Sequence, residues 1–312
     1  MRSRDGMMPL VVREITPQTP TIVSLRLERP DAAPLPPWEP GAHVDLQLVT
    51  RHERQYSLCG DPADAGSYRI GVLREPLSRG GSHYIHRFLR AGSTVYVRPP
   101  RNLFALDEAP AYLLLAAGIG VTPILAMARH LAARDVPWRM VYLVRSRQDV
   151  AFTADLGALG DAVHVHVSGE RGRLDLASTL AGVAAGTHVY ACGPTGFIDA
   201  LGSCPVPEGC RVHVERFEPV RREHRPNEPF TAVCTRSGTS VEVPAERTLL
   251  SALQGAGVSV SGSCLSGICG SCAVRVLGGT PEHRDSLTAD ESATVMYPCV
   301  SRALSPILEL DV

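Results

Sequence analysis

Cys264, Cys269 and Cys272 share one loop at the spacing C-x4-C-x2-C, and Cys299 follows after 26 intervening residues. Four thiolates so arranged are the ligand set of a plant-type 2Fe–2S centre, which takes up one electron at a time. The loop reads Ser261-Gly262-Ser263-Cys264-Leu265-Ser266-Gly267-Ile268-Cys269-Gly270-Ser271-Cys272. Its small residues let the backbone wrap closely and aim N–H groups at the sulfurs, which stabilises the more negative, reduced state. Four thiolates also suit zinc. Structural zinc sites, however, usually pair two short C-x2–4-C hooks, whereas here three ligands share a loop and the fourth stands alone. The chain is expected to carry single electrons on Cys264, Cys269, Cys272 and Cys299.

Two further groups of residues can do chemistry. Arg54-Gln55-Tyr56-Ser57-Leu58-Cys59 offers a cation, an aromatic face and a hydroxyl on one strand. Arg79-Gly80-Gly81-Ser82 offers backbone N–H groups at a helix start. Each also reads as ordinary structure: an exposed arginine, a core tyrosine, a turn with Ser82 as N-cap. Ala117-Gly118-Ile119-Gly120-Val121-Thr122-Pro123 joins an apolar strand to a helix. Its glycines admit a pyrophosphate close to the backbone, and Pro123 suits a first helical turn. It is not the full G-x-G-x-x-G fingerprint, since Pro123 occupies the third glycine's place, and a plain tight turn remains open. Cys192-Gly193-Pro194 ends a later strand, where open α/β sheets bind ligands. Cys192 is equally readable as a small buried hydrophobe. Arg145-Ser146-Arg147 follows the second strand of that series, where adenosine ribose is recognised. An acidic residue would favour NADH there, while serine and arginine leave NADPH open.

These residues need three kinds of scaffold. The first hundred residues carry short β-rich runs at 10–14, 21–27, 43–48, 55–58, 68–73 and 94–97, with one helix at 82–89 and Pro- and Gly-rich turns between them. That pattern predicts a small antiparallel barrel over 1–105. From 106 to 217 strands at 112–117, 140–144, 163–167, 188–191 and 212–214 alternate with helices at 122–134, 174–180 and 197–201, which predicts a doubly wound parallel sheet. Residues 218–229, with three prolines, read as a solvated linker. The last segment, 230–312, is expected to hold two strands, a helix at 248–256, the cysteine loop, a strand at 273–277, a helix near 289–296 and a closing strand at 307–310. That order suits a β-grasp ferredoxin fold.

Composition narrows the function classes. The 312 residues carry 31 basic and 32 acidic side chains, a net charge of −1 with no basic block, which disfavours nucleic acid and anionic membranes as partners. The most apolar run, Ala111–Ala117, is too short to span a bilayer, and no secretory h-region is expected near the start. Nine cysteines in a chain this long do not make a secreted disulfide framework, so a reducing cytoplasm is the expected location.

Taken together and in this order, the R-x-Y-S strand, the glycine turn, the C-G-P motif and the cysteine loop resemble the phthalate dioxygenase reductase and vanillate demethylase reductase family of the ferredoxin-reductase superfamily. The likeness covers essentially the whole chain. It implies a flavin-binding antiparallel β-barrel, an α/β nicotinamide domain and a C-terminal ferredoxin domain, with FMN, NADH and a 2Fe–2S cluster as cofactors. The flavin would contact Arg54, Gln55, Tyr56 and Ser57, run along Gly71-Val72-Leu73 and set its phosphate on Gly80, Gly81 and Ser82. Leu73 stands where the family can have lysine. Gly118, Gly120, Thr122, Pro123, Cys192, Gly193 and Pro194 would hold the nicotinamide dinucleotide, with Arg145 and Ser146 at its ribose. Ser57, Thr122 and Cys192 would act at the reacting centre, and Phe217 would pack over the flavin, although it could equally cap the domain core. The implied activity is that of an NAD(P)H-dependent reductase feeding a terminal oxygenase, Rieske-type or cytochrome P450. Exposed Leu265 and Ile268, with Glu282, Asp285 and Asp290 around them, are the expected contact. Two other readings are a subunit resembling the electron-transfer subunit of dihydroorotate dehydrogenase and a non-catalytic, zinc-stabilised adaptor.

Overall fold

A computed structural model describes residues 6–48, 53–76, 80–220, 223–288 and 292–312. The chain divides into two compact units, Met1–Arg216 and Phe217–Val312.

The first unit begins with strands β1 (Met8–Pro17), β2 (Ile22–Glu28), β3 (Ala42–Gln47), β4 (Glu53–Ser57) and β5 (Ser67–Leu73). Helix α1 (Gly81–Arg87), β6 (Thr94–Val97) and β7 (Arg101–Asn102) follow. The strands form an antiparallel sheet in the order β4-β3-β6-β1-β2-β5, with β7 on β3. A bridge between Leu58 and Ile70 joins the two ends of that order, so the sheet closes on itself. Closure leaves β4 and β5, which carry the Arg54–Ser57 and Gly71–Leu73 motifs, side by side. Inside lie Leu10, Leu25, Leu27, Val44, Leu46 and Ile70, all fully buried.

The chain continues through β8 (Tyr112–Ala117), α2 (Val121–Ala132), β9 (Trp138–Val144), α3 (Thr153–Ala158), β10 (Val163–Val167), α4 (Ser168–Arg171), α5 (Leu176–Ala181), β11 (His188–Cys192), α6 (Thr195–Gly202) and β12 (Arg211–Glu215). The strands are all parallel in the order β10-β9-β8-β11-β12. Every residue of β8 is buried, as a central strand covered on both faces requires, which is why it is the most apolar run of the sequence. The order reverses between β8 and β11, and the turns after these two strands flank the crevice where such sheets take ligands. Barrel and parallel sheet belong to one unit because their cores run together: Ile22, Cys59 and Phe104 pack with α2 and β8, while Ala126 of α2 packs into the barrel core. Arg69 of β5 and Arg129 of α2 both pair with Asp155 of α3.

The second unit contains β13 (Phe230–Cys234), β14 (Thr239–Val243), α7 (Leu249–Gly255), β15 (Val274–Gly278), β16 (Pro281–Glu282), β17 (Val295–Met296), β18 (Arg302–Ala303) and β19 (Ile307–Leu310). Its main sheet runs β14-β13-β19-β15-β17, with β13 and β19 parallel and the other pairs antiparallel. Leu249, Leu250 and Leu253 of α7 join its core. Two expectations change here. The helix anticipated near 289–296 is absent at its described end, because Val295 and Met296 pair with Arg275 and Val274 as strand β17; Ala289, Asp290 and Glu291 lie outside the described residues. Part of the 218–229 stretch is held to the second unit rather than solvated along its length. Arg284 donates to the Arg225 carbonyl and the Asn227 side chain, and Arg302 donates to the Glu228 carbonyl. An extended segment without a ladder must find partners for its backbone elsewhere.

Candidate functional site

In the first unit three elements converge on one carboxyl. Ser57 ends β4, Cys192 ends β11, and Glu215 ends β12 directly in register with Cys192. The Ser57 hydroxyl donates to Glu215 Oε2 at 3.4 Å, and the Cys192 thiol does so at 3.9 Å. Desolvation pushes the Glu215 carboxyl up to about 8 despite these two donors, so at neutral pH it holds its proton. Burial, followed by the Glu215 carboxyl beside it, pushes the Cys192 thiol well above its ordinary range. Cys192 is thus a buried small residue, and its thiol faces the Glu215 carboxyl. Glu215 was not anticipated. Its only signal was an acidic residue at the end of a parallel strand, and its partners lie 158 and 23 residues away.

Around this carboxyl the backbone comes close because side chains are missing. A Cβ on Gly120 would lie 2.2 Å from the Cys192 carbonyl oxygen, and one on Gly193 would lie 2.8 Å from Ala117 Cβ. Gly118 sits at φ +54° in a 3-10 turn leading into α2, the left-handed region where glycine is favoured. The two strand-end turns therefore pack directly together, as a crevice admitting a pyrophosphate needs. Pro123 lies in the first turn of α2, and Pro194 precedes the first turn of α6. Thr122 is buried, donates its hydroxyl to the Ile119 carbonyl at 3.0 Å, and sets its methyl where a Cβ on Gly71 would clash at 2.6 Å. Gly71 thus lets β5 of the barrel approach the glycine turn. Val72 accepts a hydrogen bond from His86 at its carbonyl, and Leu73 is half-buried.

Arg54 and Gly81 are neighbours, since a Cβ on Gly81 would lie 3.2 Å from Arg54 Cγ. Gly80, at φ +104°, precedes α1 and is its N-cap, while Ser82 instead accepts the Glu75 N–H. Arg79 lies outside the described residues. Gln55 is turned to Asp45, which also binds Arg101, and Tyr56 packs against the barrel core. Beyond β9, the Ser146 N–H and hydroxyl both donate to Asp149, and Arg147 pairs in two-pronged fashion with Glu170 at 2.7 and 2.8 Å. Arg145 is exposed, and its carbonyl accepts the Gly169 N–H.

In the second unit the four cysteines come together from two segments. Cys264 touches Cys269 and Cys299, and Cys272 touches Cys299. The thiol protons of Cys269 and Cys299, together with the Ile268 and Ser266 N–H groups, hold Cys264 far below the usual thiol range, while Cys269 and Cys299 are pushed up by the same contacts. Contact with Cys299 lowers Cys272. The Ser266 N–H lies 3.3 Å from Cys264 Sγ, and the Ser271 hydroxyl lies 3.1 Å from Cys269 Sγ. The loop reaches this shape through Leu265, Gly267 and Gly270 at positive φ. Donors aimed at sulfur, from a set made of thiols alone, fit a 2Fe–2S centre. Asp285, anticipated as a surface contact, is buried instead. It accepts the Leu287 and Thr288 N–H groups and the Ser301 hydroxyl, and the Ser286 N–H donates to the Gly267 carbonyl, so this turn supports the cysteine loop from behind. Leu265 is exposed, Ile268 and Glu282 are half-buried, and Phe217 lies exposed at the start of the second unit.

Residues 114–202 match an oxidoreductase NAD-binding domain, and residues 233–304 match a 2Fe-2S iron-sulfur cluster binding domain. The chain is 43% identical over 284 residues to the heme-dependent oxidative N-demethylase beta subunit of Ectopseudomonas mendocina, covering 89% of this chain and 90% of that one. It is 41% identical over 301 residues to a vanillate O-demethylase oxidoreductase of Pseudomonas sp., covering 93% and 95%. Among solved structures, phthalate dioxygenase reductase aligns with a TM-score of 0.71 at 38% identity, over 99% of this chain and 98% of that one. Full-length CYP116B46 from Tepidiphilus thermophilus aligns at 0.85 and 41% identity over all of this chain, which spans 43% of that longer one. Among the described residues no helix is long and apolar enough to cross a membrane.

Proposed function

Because the chain belongs to the family of phthalate dioxygenase reductase and vanillate O-demethylase oxidoreductase, we propose that it draws electrons from NADH at an FMN in its barrel and passes them through its 2Fe–2S centre to an oxygenase component. It is an NAD(P)H oxidoreductase of the kind that serves oxygenase systems, which displaces both the dihydroorotate dehydrogenase-type subunit and the zinc-stabilised adaptor. The observation that carries the finer reading is the meeting of Ser57, from the barrel, with Cys192 and Glu215 at the switch point of the parallel sheet. We divide the chain functionally at 1–105, 106–217, 218–229 and 230–312.

A bound flavin supplies the conversion between a hydride's electron pair and the single electrons that a 2Fe–2S centre accepts. The chain's own residues bind, orient and hold protons. Arg54, with Gly80, Gly81 and Ser82 beside it, takes the flavin phosphate. Tyr56, Ser57 and the strand Gly71-Val72-Leu73 line the ring, and Gln55 holds β4 to Asp45. Gly118, Gly120 and Gly193 admit the dinucleotide's pyrophosphate between the two turns. Thr122, Pro123, Cys192 and Pro194 line the nicotinamide end. Ser57 fixes the Glu215 carboxyl, which keeps its proton and so brings no negative charge to the reacting centre at neutral pH. Arg145 and Ser146 lie at the ribose. Both Ser146 donors are taken by Asp149 and Arg147 pairs with Glu170, which leaves the strand end fewer donors for a 2′-phosphate and supports NADH, while the exposed Arg145 keeps NADPH open.

The acceptor is an oxygenase component, Rieske-type or a cytochrome P450, docking at the exposed Leu265 of the cysteine loop. A cytoplasmic location accords with four cysteines committed to a cluster and five more left as thiols, which a reducing compartment suits. The test is Cys269→Ser. NADH-driven cytochrome c reduction is lost while ferricyanide reduction survives, because ferricyanide takes electrons ahead of the cluster. Parallel loss of both rates with flavin content intact rules out the serial path.

A further inference from the structure

We propose that Asp107, His188 and His213 form a divalent-metal site of the zinc class where β11 and β12 pair. His188 opens β11 and His213 lies on the neighbouring β12, opposite Tyr190 in register. Their rings meet with His213 Nε2 3.3 Å from His188 Nδ1. Two nitrogens bound to one zinc at about 2.1 Å and separated by that distance subtend roughly 105°, close to tetrahedral. One ligand atom from each of the three residues lies within 4.8 Å of the others, and Asp107 Oδ2 is 4.0 Å from the other His213 nitrogen, Nδ1, so the carboxylate must move round the ring to share an ion held at Nε2. The Asp107 side chain is more than half exposed, so its carboxylate is free to swing the remaining distance, and the open side leaves room for a water as fourth ligand.

The ligand-bearing positions are fixed in advance by packing. Tyr190 stacks on the His213 ring at 4.4 Å with the planes 4° apart. The same tyrosine's hydroxyl accepts the Asp107 N–H at 2.7 Å, and the Tyr112 hydroxyl donates to the Asp107 carbonyl at 2.9 Å. The backbone of Asp107 is therefore pinned beside the histidines. Two imidazoles and a carboxylate suit zinc, copper or nickel far better than magnesium or calcium, which take all-oxygen sets. Cys192 lies four residues beyond His188, about 13 Å along β11, and Glu215 two residues beyond His213, about 7 Å along β12, so the ion sits beside the Ser57–Cys192–Glu215 junction without sharing a ligand with it. Bound there, it ties the segment between β7 and β8, which leads from barrel to sheet, to β11 and β12.

A 3.3 Å separation also suits an imidazole–imidazole hydrogen bond, and metal titration distinguishes the two. The full-length holoprotein, freed of adventitious metal by EDTA dialysis, is titrated with Zn²⁺ by calorimetry alongside His213→Gln and Asp107→Asn. The expected result is one saturable zinc per chain in the parent, with affinity about tenfold or more weaker in either variant. Zinc should also raise the parent's thermal midpoint and not that of His213→Gln, with iron content and NADH–ferricyanide rate unchanged in both variants. Asp107→Asn, at an exposed side chain, keeps the comparison valid should His213→Gln fold poorly. Equal isotherms in all three proteins, or no saturable binding in the parent, overturns the proposal.

Discussion

Glu215 is the residue on which the candidate site turns. Its carboxyl titrates near 4.5 in an unfolded chain and is pushed up to about 8 in the folded one, chiefly by desolvation. Between those values the folded state keeps a proton that the unfolded state has lost. The folded state's advantage from this group is therefore full below the unfolded pKa and falls away as pH rises towards 8. Glu215→Gln keeps the shape and removes the titration. Urea unfolding of the first unit at several pH values between about 5 and 8 should then show a flatter dependence than in the parent. The NADH–ferricyanide rate of the parent should decline above about pH 8, where an ionised carboxylate appears beside Cys192, and the variant should lack that decline. Matching pH profiles in parent and variant count against the assignment.

At the scale of elements, the crevice exists because two strand-end turns touch through glycine. A Cβ on Gly120 meets the Cys192 carbonyl at 2.2 Å, and backbone on both sides cannot yield as a flexible side chain would. Gly120→Ala should cost about 1–3 kcal/mol as overpacking, read as a lower urea midpoint, and should raise the KM for NADH. Gly196, in the first turn of α6, has nothing within 4 Å of its added Cβ. Gly196→Ala should therefore leave stability equal or slightly higher, since alanine favours a helix over glycine by roughly 1 kcal/mol. Equal losses from the two substitutions would mean that the turn contact carries no particular weight. The cysteine loop shows the same logic, for a Cβ on Gly267, already at φ +71°, would sit 2.7 Å from Val300.

For the whole molecule, the division at Arg216 and Phe217 makes a concrete prediction. The described residues between Phe217 and Phe230 carry no helix or strand, and that stretch is where a protease should cut first. The purified 1–216 piece should keep NADH–ferricyanide reduction and lose cytochrome c reduction, because the carboxyl of Glu215 and both turns lie inside it while all four cysteines lie outside. Loss of both activities in a folded 1–216 piece would count against placing the flavin and nicotinamide sites in the first unit.

The four cysteines, the glycine turn after β8 and the alternation of strand and helix were legible in the sequence because each is local: ligand spacing, backbone freedom and side-chain periodicity act over a few residues. The helix anticipated at 289–296 failed for the complementary reason, since Val295 and Met296 are held as a strand by pairing with β15. The same limit hid the inward turn of Asp285, the ties of Arg284 and Arg302 to the 225–228 stretch, and the contacts that Glu215, His188 and His213 make. Whether a carboxyl or an imidazole is exposed, paired or buried depends on which distant strand lies beside it. Closure of the barrel and the strand order of the parallel sheet decide that neighbour, and both are settled only when the chain has folded.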